Sequence, residues 1–467
     1  MNTVRLFRHY VQIKQLLLGF FELCLLTAAV YASAYLRFAG GDFAETYTAH
    51  LFWRALLVGA VMVLCMLVMG LYHPHLRDKY LRLIVRITLS FVVAGIFLTV
   101  VFYVFPSLYL GRGVMGLATV LGLAVVMPTH WFAANRLDEW AGRRRILIYG
   151  AGNNAAGILA RLRRKSDFNT FELIGCMPAP GEAVHVDDKR VVGSEKSLHP
   201  WVIENRVEEV VVAMDEKRNA LPIDELLKCR LNGVTVTDML SFYERHTGKI
   251  KTDLVSPGWF IFSDGFGQKA IATRGKRLLD VLVAGTLLAL TWPLLGLAAL
   301  LIWVDDGVGA PILYRQERVG EQGRHFTILK LRSMCLDAES GGKAVWASNN
   351  DTRVTRVGRF LRKSRLDELP QLINVLRGDM SFVGPRPERP EFTGQLSKEL
   401  GYYELRHRVK PGLTGWAQLC YPYGASKEDA LQKLQFDLYY VKNHSLFLDV
   451  IIILGTIEVI LFGKGAR

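Results

Sequence analysis

Four long apolar runs dominate the first third of the chain: Leu16 to Leu36, Phe52 to Tyr72, Leu83 to Pro106 and Val114 to Ala134. Each is long enough to cross about 30 Å of hydrocarbon, so the pattern predicts four transmembrane helices. A fifth run, Leu278 to Trp303, carries Pro293 near its middle. Proline removes a backbone donor and kinks a helix. This run is therefore expected to be a re-entrant helix hairpin over about residues 275–304, with Pro293 as the break. A last apolar stretch, Ser445 to Phe462, is shorter and carries Asp449 and Glu458, which favours an interfacial helix over a further span.

Between these runs the pattern changes to short strands alternating with helices. A buried strand, Arg145 to Tyr149, leads into Gly150-Ala-Gly152-Asn-Asn-Ala-Ala-Gly157 and a helix. Strand-like runs at Phe171 to Met177, Glu209 to Met214 and Val234 to Thr237 alternate with helical patterns at Leu198 to Asn205 and Leu221 to Leu231. That alternation predicts a doubly wound, Rossmann-like parallel sheet. The glycine-rich turn makes Gly150, Gly152 and Gly157 candidates for nucleotide binding. The second strand, however, ends in Cys176-Met-Pro-Ala-Pro180 and lacks the acid that would hold a ribose hydroxyl. The expected class is membrane α plus α/β. Residues 1–142 would form a four-helix transmembrane bundle, 143–255 the Rossmann-like domain, and 256–467 a monotopic, mostly helical catalytic domain.

Composition fits a chain that is part membrane and part water-facing. Of 467 residues, 51% are hydrophobic and 21% charged, too apolar for a soluble enzyme and too mixed for a pure bundle. The 57 Lys+Arg against 43 Asp+Glu leave a net +14. Beside membrane segments, that charge points to anionic headgroups or phosphorylated substrates rather than nucleic acid. Cations before the first run (Arg5, Arg8, Lys14), between the second and third (Arg77, Lys79, Arg82) and after the fourth (Arg136, Arg143 to Arg145) put both ends of the bundle in the cytoplasm. Arg86, inside the third run, is expected to snorkel. The six cysteines stand far apart without a C-x-x-C pair, so neither a disulfide framework nor a zinc site is expected.

Candidate chemistry concentrates in Arg362-Lys-Ser-Arg-Leu-Asp367-Glu368-Leu-Pro370 and, further on, Gly384-Pro-Arg386-Pro387. Asp367 and Glu368 precede a proline and an apolar-periodic run, which places them at or near a helix N-terminus. There the positive end of the helix dipole keeps a carboxylate ionised. Lys330, Arg332, Arg362 and Arg386 could clamp a pyrophosphate. Taken alone, the acidic pair is more readily read as ordinary capping.

From about Thr273 to its end, the chain resembles the bacterial sugar transferase domain of the polyprenyl-phosphate glycosyl-1-phosphate transferases. The matching segments are Pro311-Ile-Leu-Tyr-Arg-Gln-Glu-Arg-Val-Gly320, Leu329-Lys-Leu-Arg-Ser-Met334, Leu366-Asp-Glu-Leu-Pro-Gln371, Gly378-Asp-Met-Ser-Phe-Val-Gly-Pro-Arg-Pro387, Lys410-Pro-Gly-Leu-Thr-Gly-Trp-Ala-Gln418 and Asp437-Leu-Tyr-Tyr-Val-Lys-Asn443. The whole chain resembles the large form of this family, which starts exopolysaccharide or O-antigen repeat units. One departure is Trp292, where the family usually has serine before the re-entrant proline.

The resemblance implies a multi-pass protein of the bacterial inner membrane with its catalytic domain on the cytoplasmic face. It further implies a UDP-sugar donor, Mg²⁺ on the diphosphate, and Asp367 as nucleophile on the β-phosphorus with release of UMP. Glu368 would bind metal or activate the acceptor, undecaprenyl phosphate. A homodimer is plausible for such large members. Two other readings remain open on the sequence. Tyr423 and Lys427 match the Tyr-x-x-x-Lys pair of an NAD-dependent nucleotide-sugar dehydratase, and the Gly150 to Gly157 turn would suit a non-catalytic nucleotide-sensing scaffold.

Overall fold

The computed structural model describes residues 3–6, 9–38, 50–72, 80–140, 143–160, 171–193, 196–215, 221–255, 257–263, 265–266, 270–307, 309–335, 353–421, 424 and 426–462. Arg8, Arg77, Lys79 and Tyr423 lie outside them. Apart from the first few residues, the chain forms two compact units, 10–247 and 248–467.

The first unit opens with four apolar helices: α1 (Ile13–Phe38), α2 (Leu51–Val68), α3 (Tyr80–Val104) and α4 (Arg112–Trp140). Helix α1 packs on α2 and α4, and α2 on α3. Leu26, Val30, Val58, Met62, Ile87, Phe91 and Val126 meet in a shared core, while Phe20, Trp53, Ile96 and Tyr103 face outward. Apolar residues on both faces are what a lipid-facing bundle requires. Small residues set the close approaches: a side chain at Gly59 would stand 2.9 Å from Thr27 Oγ1, and one at Gly122 2.9 Å from Phe91.

Two polar features depart from the sequence reading. Arg86 does not snorkel; it is 2% exposed, and its Nη1 donates to Met69 O at the end of α2 (2.5 Å). A backbone carbonyl left over at a helix C-terminus is a ready acceptor, and pairing there removes the need to reach the interface. The second feature is Glu22, fully buried on α1. Tyr72 Oη donates to its Oε2 (2.5 Å), Thr129 Oγ1, which donates to Val126 O (2.8 Å), lies 3.3 Å from its Oε1, and His130 Nε2 stands 3.0 Å from Oε1. Glu22→Ala strands the Tyr72 hydroxyl and an imidazole in an apolar core, while Thr129 keeps Val126 O as its acceptor. The expected cost is about 2 kcal/mol, read as a lower melting temperature in detergent; an unchanged melting temperature would show that the cluster contributes no stability.

The same unit ends in a four-stranded sheet: β1 (Arg144–Tyr149), β2 (Phe171–Met177), β3 (Glu209–Val212) and β4 (Thr235–Asp238), in the order β2-β1-β3-β4 and parallel throughout. Helix α5 (Asn153–Leu159) follows β1, α6 (Leu198–Glu204) precedes β3, α7 (Ile223–Leu231) precedes β4, and α8 (Met239–Thr247) follows it. Val210 and Val211 are fully buried, as expected for a strand covered on both faces.

The second unit is built on α9 (Ala270–Asp306), a single helix running through Pro293. Five helices among the described residues are therefore long and apolar enough to cross a membrane, where the sequence pattern predicts four and a two-helix hairpin. Helical structure resumes past the proline because only one backbone donor is lost there. An antiparallel hairpin, β5 (Leu313–Val319) and β6 (His325–Leu331), is followed by α10 (Arg356–Lys363) and α11 (Gln371–Arg377). Two short parallel strands, β7 (Ser381–Val383) and β8 (Gly412–Thr414), come next. After α12 (Pro390–Glu399) and α13 (Trp416–Cys420), α14 (Lys427–Asn443) and α15 (Leu446–Phe462) close the unit. Residues 248–255 belong to this unit: Ile250 N donates to Gln435 O, and Gly248 O accepts the Trp416 indole (2.9 Å).

Candidate active site

The acidic pair sits in one turn of 3-10 helix, Leu366–Glu368, immediately ahead of α11. Arg365, just before it, adopts a left-handed backbone (φ 59°), a strained conformation for a residue with a side chain. Helix α11 holds this turn in place from both ends. Buried Asn374 accepts from Leu329 N (3.0 Å) and donates to Thr327 O (2.8 Å), tying α11 to β6. At the other end the leftover carbonyls are taken by cations: Arg277 donates to Val375 O and Leu376 O (2.6 Å each), and Lys410 to Gly378 O (2.7 Å).

Arg386 is placed by the β7–β8 pair. Gly384 N donates to Thr414 O and Gly412 N to Pro385 O (2.9 Å each), and a side chain on Gly412 would stand 2.0 Å from Gly384 N. Only glycine allows that approach. The chain emerging from it carries Arg386, whose Nη2 donates to Glu368 Oε1 at 2.7 Å.

Lys330, Arg332, Arg362, Arg386 and Glu368 line one cavity of about 550 Å³. Asp367 is buried beside Glu368 and is not part of the lining. Arg362 Nε donates to Ser333 Oγ (2.9 Å), which steadies its guanidinium. Sequence reasoning missed Arg318, Arg353, Arg365, Arg389 and Lys433, which also line the cavity. It also missed the support behind Arg386: Arg406 donates to Arg386 O (2.8 Å) and to Tyr403 Oη (2.7 Å), and pairs with buried Asp437 (2.9 Å). Arg406 lies in a cluster of charged residues without periodicity, so only its partner in the Asp437-Leu-Tyr-Tyr segment hinted at it.

The environment drives the two carboxyls apart. Burial, with the Glu368 charge beside it, raises Asp367 to about 6, against the pull of Lys330, Arg362 and Arg365. Burial outweighs the dipole of a short turn, so Asp367 lies above the ordinary carboxylate range yet remains mostly ionised at pH 7, as the sequence suggests. Burial acts on Glu368 in the same direction, but Arg386, Lys330 and Arg365 overcome it and hold Glu368 down to about 2. Burial lowers Lys330 to about 8. Such a split pair provides one permanently charged group and one poised near neutrality.

Of the other predicted residues, Pro293 lies inside α9. Asp449, one of the two acids that suggest an interfacial helix, is 1% exposed and paired with Lys276 (2.8 Å) and Tyr440 Oη (2.6 Å). In the first unit, Gly150 takes φ 119° and Gly152 caps α5, which contains Gly157. Three amides of that turn are already taken. Asp215 accepts from Asn153 N and Asn154 N (2.8 Å each), and Glu182 from Ala151 N (2.8 Å). These carboxylates occupy the place where a pyrophosphate would bind a Gly-rich turn.

A model of the bacterial sugar transferase family matches residues 271–463, which contain the whole cavity. The chain is 42% identical over 245 residues to the UDP-N-acetylgalactosamine-undecaprenyl-phosphate N-acetylgalactosaminephosphotransferase of Aeromonas hydrophila, covering 52% of this chain and 56% of that protein. It is 41% identical over 349 residues to the UDP-glucose:undecaprenyl-phosphate glucose-1-phosphate transferase of Escherichia coli (strain K12), covering 73% and 72%. The Xanthomonas campestris pv. campestris protein of the same name is 30% identical over 367 residues, covering 76% and 75%. The chain belongs to the bacterial sugar transferases, the polyprenyl-phosphate glycosyl-1-phosphate transferase family. It is a membrane-associated transferase rather than a dehydratase.

Proposed function

We propose that the protein transfers a sugar 1-phosphate from a UDP-sugar to undecaprenyl phosphate with release of UMP, by way of a covalent intermediate on Asp367. The carrying observation is the carboxyl pair split by its surroundings, with Glu368 on the wall of a cation-lined cavity and Asp367 buried beside it. A carboxylate oxygen of Asp367 attacks the β-phosphorus, the bond to the α-phosphate oxygen breaks, and UMP departs. A phosphate oxygen of undecaprenyl phosphate then attacks the same phosphorus and frees Asp367, leaving a diphosphate-linked lipid. Lys330, Arg362 and Arg386 cancel the charge that builds on the diphosphate. Glu368, fully ionised and anchored by Arg386, holds the cationic wall in register.

Mg²⁺ fits this site. Asp367 Oδ1 is buried without a hydrogen-bond partner, and Glu368 is its neighbour. Among the described residues no group of three or more His, Cys, Asp or Glu stands together. Mg²⁺ needs none, since it is commonly held by one or two carboxylates and substrate phosphates. Bound there by Asp367 and Glu368, it would neutralise diphosphate charge.

The site is proposed to lie on the cytoplasmic face of the inner membrane, held by α9 as a re-entrant element. Near the start of α9, Lys276 donates to Val383 O (2.9 Å) and Asp280 accepts from Ser381 Oγ and Phe382 N (2.9 Å each). Near its end, Ala298 and Ile302 pack with Leu331 and Leu361, and Asp305 accepts from Val357 N (3.3 Å). A straight helix would carry residues 276 and 305 about 43 Å apart, more than the hydrocarbon thickness. Two ends that grip the same catalytic unit favour entry and exit on one face, with the bend at Pro293. Leu290, Trp292, Leu294 and Leu297, exposed around that point, suit lipid.

Purified protein given a panel of UDP-sugars, Mg²⁺ and undecaprenyl phosphate should form UMP and a diphosphate-linked lipid sugar with at least one donor. Absence of lipid product from every donor would overturn the reading. The rate should follow a bell-shaped pH profile. Below about 6 it falls as Asp367, raised by burial, takes up a proton; above about 8 it falls as Lys330 loses its charge. A rate flat between pH 5 and 9 would contradict these assignments.

A further inference from the structure

The cavity extends well past the acidic pair. From Glu368 the line of contacts runs through Arg386 and Arg406 to Asp437 on α14. Lys433 and Ala430, one and two turns back along the same helix, continue the wall for about 10 Å. The far end differs in character from the cationic middle. It is walled by small residues, Gly415, Ala417 and Gly424, by the Tyr421 ring, and by Gln418. The Tyr421 ring is fixed in position, because its hydroxyl donates to Asp429 Oδ1 (2.8 Å), part of the capping box of α14.

Gln418 is the unusual group. Its Nε2 donates to Leu413 O at 3.5 Å, which orients the amide, while its Oε1 is buried with no hydrogen-bond partner. Gly415 lies beside that oxygen and must be glycine, because a Cβ there would stand 2.2 Å from Gly384 O and 3.3 Å from Gln418 Oε1. A buried amide oxygen without a donor is costly, so an acceptor held ready on a cavity wall marks the place of an N–H from a ligand. A flat ring fits between small residues and an aromatic face, and a sugar with many hydroxyls would find few partners there.

We propose that this end of the cavity is a pyrimidine subsite in which Gln418 Oε1 accepts the N3–H of uracil, so that Gln418 reads the base of the donor. The proposal rests on the UDP-sugar reading above. It explains how cytosine is rejected: that base presents a lone pair at N3, which faces the amide oxygen without a proton between them. A site built around one hydrogen bond discriminates against ligands that lack it.

The test is calorimetric binding to the full-length protein in detergent, with UMP, CMP, 3-methyl-UMP and pyrophosphate as ligands. UMP should bind at least tenfold more tightly than CMP or 3-methyl-UMP, the loss expected for one unpaired polar contact. Gln418→Leu should bring the three nucleotides to parity while pyrophosphate affinity stays within twofold. An unchanged UMP preference in Gln418→Leu overturns the subsite and leaves the donor reading standing. Pyrophosphate binding with no gain from any nucleoside overturns the donor reading and the subsite together. Where Gln418→Leu no longer binds pyrophosphate, the wild-type comparison of UMP with 3-methyl-UMP decides: equal affinities overturn the subsite, and a tenfold difference supports it.

Discussion

Asp367→Asn is expected to lower turnover by at least about 10³-fold while leaving the fold intact, because an amide of the same shape cannot attack phosphorus. Stability gives the same substitution a second signature. A carboxyl whose folded value is raised to about 6 binds its proton more tightly folded than unfolded. Its ionisation therefore opposes folding as pH rises through the interval from its ordinary value to about 6. Removing it should leave the melting temperature unchanged at pH 4 and raise it at pH 8. Glu368 has the opposite sign. Held at about 2 by Arg386, Lys330 and Arg365, its charge stabilises the fold above its ordinary value and loses that effect as pH falls towards 2. A variant that stayed active, or that melted lower at pH 8 than the parent, would remove Asp367 from the centre of the chemistry.

Arg386→Leu is the second large effect, with turnover expected to fall about 10²- to 10³-fold. The loss has two parts. The guanidinium no longer meets the diphosphate, and Glu368 loses its 2.7 Å partner, so that the two neighbouring carboxyls compete more strongly for one proton. The acid limb of the rate profile should then move to higher pH, and Arg386→Lys should restore part of the rate but not the whole, since a point charge cannot replace the planar fork. A variant with lower rate and an unmoved acid limb would show that Arg386 acts on substrate alone. Measuring the pH profiles of both variants separates these outcomes.

Hydrophobic patterning located the four bundle helices to within a few residues, because a lipid-facing helix must be apolar over its whole length and that signal is long. It also located the strands of the parallel sheet and the region of the cavity. Polar groups whose role depends on partners far away in sequence were not legible. Arg86 looked like a snorkelling residue because its acceptor, Met69 O, belongs to another helix. Glu22 met its three partners from positions 72, 129 and 130, spacings that no periodicity encodes. The burial of Asp449 beside Lys276 and Tyr440 was equally illegible in the short stretch that carries it.

The four cations were found as a set, since phosphate chemistry names the residue types. The balance of burial against charge that raises Asp367 and lowers Glu368 could not be inferred from adjacent letters. Gln418 stood in plain view in Lys410-Pro-Gly-Leu-Thr-Gly-Trp-Ala-Gln418, yet only the empty environment of its oxygen singles it out.

The most direct test of the account is to mix the purified protein with a UDP-sugar labelled at the β-phosphate and Mg²⁺, with no lipid present. The account predicts one equivalent of UMP per active site and label retained on the protein, located at Asp367 by mass spectrometry and released by undecaprenyl phosphate. Formation of UMP only when the lipid is present, with no labelled protein at any time, would contradict it.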